Sequence, residues 1–145
     1  MTLLVTSILA DNIGDLSSRA DQAWAGGADA VEVRMDAFDG DPMELARYLQ
    51  AHKDRTWIMT CRSAGEGGSF RGDTMERVSR LIAAAHGTNA YVDFELADWR
   101  RSSNIRQKVE LAAAATDGQA RRLILSSHDF ERRPENLDAI VHEMI

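Results

Sequence analysis

Little in this chain points to a cell surface, a membrane or a nucleic acid. Its only cysteine is Cys61, so no disulfide can form within the chain and a reducing cytoplasm is the expected setting. Proline occurs twice, at Pro42 and Pro134, and aromatic residues make up only 6%. A hydrophobic content of 44% is nonetheless that of a folded domain, not a disordered tail. No apolar run approaches the roughly 20 residues of a membrane span. The opening segment, Met1 to Ala10, has no basic stretch and reads as a strand instead of a signal peptide. Basic clusters are missing and the net charge is −6, which argues against nucleic acid as a partner. At 145 residues the chain is expected to form a single domain, 1–145, with a real core.

What is present is a repeated alternation. Strand-like runs span Leu3–Leu9, Ala30–Asp36, Thr56–Arg62, Tyr91–Leu96 and Arg122–His128. Helical patterns fill the gaps. Asp15–Trp24 carries Leu16, Ala20, Ala23 and Trp24 at helical spacing and stops at Gly26-Gly27. Asp41 can cap a second helix, with Pro42 and Glu44 in its first turn. Asp73 or Thr74 starts a third, with Met75, Val78 and Ile82 inward and Gly87 beyond its end. Ser103 is the expected cap of a fourth, with Ile105, Val109 and Ala112 inward and Gly118 closing it. Pro134 is expected to open a fifth, striped by Leu137, Ile140, Val141 and Met144. Each strand-plus-helix unit takes roughly 30 residues, the size of a βα repeat. Such alternation implies an α/β fold with a parallel sheet, either doubly wound or part of a (β/α)₈ barrel.

The chemistry gathers where the strands end. In Val31-Glu32-Val33-Arg34-Met35-Asp36, strict alternation puts Glu32, Arg34 and Asp36 on one strand face. A parallel sheet covers its apolar face with helices. The charged face then lines an enclosed space, and an arginine between two carboxylates there suits a polyhydroxylated acid. The plainer alternative is a layer of internal salt bridges.

Thr60 and Arg62 continue that face, whereas Met59 and Cys61 point under helices. Cys61 is therefore expected to be a small buried hydrophobe, not a nucleophile. Gly65, Gly67 and Gly68 read as a flexible loop that carries Glu66 over the site; no nucleotide-binding fingerprint matches. Asp93 and Glu95 repeat the alternation and are placed to neutralise Arg34 and Arg62 across the interior. Leu123 to His128 turns from apolar to polar and delivers a histidine, the side chain best matched to proton transfer near neutral pH. His52, His86 and His142 fall on helices or at their ends and read as solvated or dipole-facing.

Four of these pieces together resemble the type I 3-dehydroquinate dehydratases. They are Glu32-Val33-Arg34-Met35-Asp36, Arg62-Ser63-Ala64 with Glu66-Gly67-Gly68, Asp93-Phe94-Glu95-Leu96, and Ser126-Ser127-His128-Asp129-Phe130. The resemblance implies a (β/α)₈ barrel and elimination of water from 3-dehydroquinate, a step of the shikimate pathway and of aromatic amino acid biosynthesis. In that family a lysine forms an imine (Schiff base) with the substrate ketone, and the imine makes the adjacent C–H acidic. No cofactor and no metal are implied. His128 matches the family's proton-abstracting histidine and Glu66 the acid that orients it. Glu32, Arg34 and Arg62 match substrate-binding positions; Asp36, Glu95 and Ser127 are supporting residues.

The chain departs from the family at the nucleophile. Its lysines are Lys53, before the third strand, and Lys108, in the fourth helix. The family's lysine lies on a sixth strand. The expectation is thus an incomplete barrel of about five βα units, poorly active or inactive alone. It would be the N-terminal portion of a longer protein, one fused to shikimate dehydrogenase for instance, or a half-barrel completed as a homo-oligomer. Two other readings stand beside it. A metal-dependent barrel enzyme would use Glu32, Asp36, Glu95 and His128 as ligands, although a guanidinium near a dication is unfavourable. A non-catalytic binding or assembly module would oligomerise without turnover.

Overall fold

The structure, a computed structural model, describes residues 2–114 and 122–145. Five strands form one parallel sheet: β1 (Val5–Ile8), β2 (Ala30–Arg34), β3 (Trp57–Thr60), β4 (Tyr91–Glu95) and β5 (Leu123–Ser126). Their spatial order is their chain order, β1-β2-β3-β4-β5. That decides between the two architectures the sequence allows. A doubly wound sheet reverses its strand order at a switch point, whereas a barrel adds each new strand on the same side. Between the described strands the sheet is not closed.

The helices are α1 (Ile13–Ala25), α2 (Pro42–Ala51), α3 (Thr74–Ala85), the short α4 (Leu96–Trp99), α5 (Ser103–Ala112) and α6 (Leu137–Met144). Asn12 caps α1, and Asp41 caps α2 by accepting from the Met43 N–H at 2.9 Å. Asp73 and Glu76 form a full capping box on α3, which satisfies two of the amide donors that a helix start leaves open. Gly27 and Gly87, both at positive φ, follow the ends of α1 and α3. Beneath the helices Leu16, Val31, Val33, Leu45, Met59, Val78, Leu81, Val92 and Phe94 are almost completely buried in one core.

Several boundaries differ from the sequence expectation. Each strand is shorter than its apolar run, and Leu3, Leu4 and Leu9 flanking β1 are about half exposed. The cap position of α5 belongs to Ser102, not Ser103, and its side chain makes no capping bond. Helix α6 begins at Leu137, not at Pro134; before it the chain bends at residues 130–132, where the Asp129 carboxylate accepts from the Glu131 and Arg132 N–H groups. None of its apolar stripe is fully buried. On α3, Met75 faces outward at 38% exposure while Arg77 is buried. Gly118, the expected end of the fourth helix, lies outside the described residues.

Candidate active site

The strand alternation sorts the sheet into two faces. Val31, Val33, Met35, Met59 and Cys61 are buried against the helices, and Glu32, Arg34, Thr60 and Arg62 take the other side. Parallel register then lines these groups up across strands. Arg34, Thr60 and Asp93 are partners in one row, and Glu95 pairs with Ser126 in the next. Glu32 accepts a hydrogen bond from the Thr60 hydroxyl at 2.6 Å and another from Ser7.

Arg34 and Asp36 form a two-pronged ion pair, Nε–Oδ1 and Nη2–Oδ2, both 2.8 Å. Asp36 also accepts from the Arg62 backbone N–H at 3.1 Å and from the Ser69 N–H at 3.0 Å. Burial works to raise the Asp36 carboxyl, but the Arg34 guanidinium and the two backbone donors overcome it and hold it at about 2. Arg34 is thus neutralised from its own strand end; Asp93 and Glu95 do not reach across to it. They serve Arg62 instead, which donates from Nη2 to Asp93 at 2.8 Å and lies 3.6 Å from Glu95. Burial pushes the Asp93 carboxyl up, opposed by Arg62 and the Ser126 hydroxyl.

The loop after β3 is compact and hydrogen-bonded, not the open flexible segment its glycines suggested. Ala64–Glu66 makes a 3₁₀ turn, and the Gly68 N–H returns to the Ser63 carbonyl at 2.8 Å. A Cβ on Gly68 would lie 2.1 Å from the Arg62 carbonyl oxygen, so only glycine fits that approach. The turn presents Glu66 to the end of β5. Its Oε2 is 2.9 Å from His128 Nδ1 and also accepts the His128 backbone N–H at 3.1 Å. A carboxylate only accepts, so in the neutral imidazole the hydrogen sits on Nδ1 and the lone pair on Nε2. Glu66 Oε2 is also 3.9 Å from Arg62 Nη1, which links the histidine to the arginine face. Such a face can receive an anion with hydroxyl groups and offer it a base. A cavity of about 760 Å³ opens beside the pair, bordered by Gly65, Gly67, His128 and Phe130.

Other sequence-named residues fall elsewhere. Ser127 is exposed at the cavity, and the serine that joins the interior is Ser126. Its hydroxyl accepts from Arg62 at 2.8 Å and donates to Asp93 at 2.9 Å. Cys61 is buried and its thiol is pushed up to about 12, chiefly by burial. Lys53 is exposed in the turn before β3, and Lys108 lies on α5. His52 is half-buried against the Tyr48 carbonyl, while His86 and His142 are exposed. The metal reading is not favoured. Asp36 and Glu95 are engaged by arginines, and among the described residues no group of three or more His, Cys, Asp or Glu is placed to hold a metal ion.

Sequence pattern gave no sign of Arg77. Its guanidinium donates to the Cys61 carbonyl at 3.0 Å, pairs with Glu95 at 3.1 Å and with Asp98, and lies over the Phe94 ring. A charged residue amid the polar positions of α3 looks like a solvated one.

Comparison with known proteins gives the family and the fold. The profile of the Type I 3-dehydroquinase family matches residues 4–145. The 3-dehydroquinate dehydratase of Archaeoglobus fulgidus is 33% identical over 124 residues, which is 85% of this chain and 52% of that protein. Its counterpart in Methanothermobacter thermautotrophicus is 34% identical over 127 residues, 88% of this chain and 52% of that protein. The chain spans about half the length of the curated relatives it matches. The crystal structure of the 3-dehydroquinate dehydratase from Aquifex aeolicus superposes with a TM-score of 0.68 at 24% identity, covering 98% of this chain and 59% of that one. That likeness establishes the fold: the open sheet is an unclosed stretch of a barrel.

Proposed function

Because the chain belongs to the type I 3-dehydroquinase family, we propose that it supplies the binding face and the proton-transfer pair for dehydrating 3-dehydroquinate to 3-dehydroshikimate. Arg34 and Arg62 donate to the oxygen atoms of the substrate, and Glu32 accepts from its hydroxyls. His128 Nε2 takes the proton from the carbon beside the ketone carbon. The C–O bond next to it then breaks, and the leaving hydroxyl departs as water with a proton returned by His128. Glu66 orients the imidazole. Asp36, Glu95 and Ser126 support these groups from the strand ends.

One observation carries this reading: the 2.9 Å contact between Glu66 and His128, with Arg62 only 3.9 Å from the same carboxylate oxygen. A base and a substrate-binding group share one rim. The family's imine needs a lysine, and neither Lys53 nor Lys108 is near that rim. The 145-residue chain alone therefore binds 3-dehydroquinate but forms no imine and turns over little or none. A second copy, or the remainder of a longer cytoplasmic chain, covers the open sheet.

Titrating the chain with 3-dehydroquinate while following its arginine and imidazole NMR signals tests the binding. Shifts at Arg34, Arg62 and His128 are expected, and their absence would contradict the reading. Borohydride added to the same mixture should leave the chain's mass unchanged. A stable covalent adduct would show that a lysine of this chain does reach the substrate.

A further inference from the structure

The Glu66–His128 contact joins two segments outside the strands and long helices, a 3₁₀ turn and the residues that follow β5. The turn pivots on Ser63. Its carbonyl accepts from the Glu66 N–H at 3.1 Å and from the Gly68 N–H at 2.8 Å. Its own N–H donates to Glu95 Oε1 at 2.8 Å. The orientation of Ser63, and with it the placement of Glu66, therefore depends on where the Glu95 carboxylate sits.

Glu95 is buried, and a carboxylate alone there would be costly. Arg62 contributes from 3.6 Å, beyond hydrogen-bond reach, with Nη1 and Nη2 committed to Ser126 and Asp93. The near partner is Arg77, which reaches in from α3. Its Nη1 lies 3.1 Å from Glu95 Oε2, the oxygen that Ser63 leaves free. The same nitrogen donates to the Cys61 carbonyl at 3.0 Å, two residues before Ser63. Arg77 thus grips the exit of β3 twice, once by its backbone and once through Glu95. Asp98 and the Phe94 ring fix the guanidinium in turn, and Arg101 balances Asp98 at 3.2 Å. A buried ion pair adds little net stability over an apolar pair of the same size; what this one supplies is a carboxylate held in place.

We propose that Arg77 is a positioning residue for the proton transfer. By fixing Glu95 it fixes the Ser63 turn, which keeps Glu66 on His128 Nδ1 and leaves the Nε2 lone pair free to take a proton. This deepens the proton-transfer part of the function proposed above and rests on that part alone.

The imidazole itself reports the outcome. Nitrogen NMR of the full chain at about pH 8.5, above the ordinary histidine range, should place the His128 hydrogen on Nδ1. Arg77→Met should move most of the His128 population to the Nε2–H form that a free imidazole prefers. Adding Glu95→Gln should return the hydrogen to Nδ1, because the amide oxygen still accepts from Ser63 and needs no counter-charge. A residue that merely packs α3 would lower thermal stability and leave the tautomer alone. A parent without Nδ1–H, a tautomer untouched by Arg77→Met, or a rescue that fails each overturns the inference. Should Arg77→Met not fold, Ser63→Pro decides. Ser63 sits at φ −69° and ψ 154°, which proline accepts, so the exchange removes the N–H that meets Glu95. It should move the tautomer as Arg77→Met does, and an unchanged tautomer there overturns the inference as well. No sample contains 3-dehydroquinate, so a chain that fails to bind that acid would lose the dehydratase reading while these results stand.

Discussion

Asp36 gathers the donors that tie the ends of β2 and β3 to the glycine loop. Its carboxyl sits at about 2, against 3.8 unperturbed. A lowered folded-state value means the stabilisation is complete above the unfolded value and is lost as pH falls through the folded one. Ionised Asp36 should therefore contribute on the order of 2 kcal/mol near neutrality, fading between about pH 4 and pH 2. Asp36→Asn should lower stability at pH 7 by about that amount and flatten the acid limb in that window, as read by urea unfolding across pH. Cys61 gives a second residue-level prediction. With its thiol pushed up to about 12 and its side chain buried, it should resist a disulfide reagent at pH 8 and react on denaturation. Rapid reaction of the folded chain would contradict this. The two residues were not equally legible. Burial of Cys61 followed from strand alternation, since its neighbours Thr60 and Arg62 are polar. The bond from Asp36 to Ser69 depends on how residues 63–70 fold back, which no periodicity records. Ser126 was missed in favour of Ser127 because two serines in a row leave the phase of the strand end undetermined.

Among elements, the turn after β3 is the most demanding. Gly68→Ala would force a Cβ to within 2.1 Å of the Arg62 carbonyl, and backbone cannot yield as a side-chain tip does. We expect at least about 2 kcal/mol of destabilisation and loss of the Glu66–His128 contact, visible in the His128 backbone amide shift. Gly65→Ala, where the nearest atom is 3.9 Å away, should be tolerated; equal damage at both would contradict the stated geometry. The helix starts with strong local chemistry were readable: Asp41 with Pro42, and Asp73 with Glu76. The ones that failed lack it. Helix α4 is four residues long, too short for any periodicity, and α6 starts only beyond the bend at residues 130–132. Arg77 was invisible for a different reason. Its burial is stabilised by groups from β3, β4 and α4, which only the fold brings together.

For the molecule as a whole, the parallel sheet and its barrel winding followed from five βα units, and the strand order removed the doubly wound alternative. Among the described strands β1 and β5 each have one unpaired edge, and exposed backbone donors and acceptors invite another strand. The four strand-end motifs identified the family from sequence because each is local and their order is linear. How the charges pair across strands was not legible, since it depends on register. The central claim is that this chain brings the binding face and the base but not the imine-forming lysine. Its most direct test is complementation. The chain is mixed with the part of the Archaeoglobus fulgidus 3-dehydroquinate dehydratase outside the matched region, and formation of 3-dehydroshikimate is followed by absorbance. Turnover should appear only with both pieces present, and His128→Ala in this chain should lower it by roughly 10²–10⁴-fold. An assembled pair that remains inactive, or one that works as well without His128, would contradict the account.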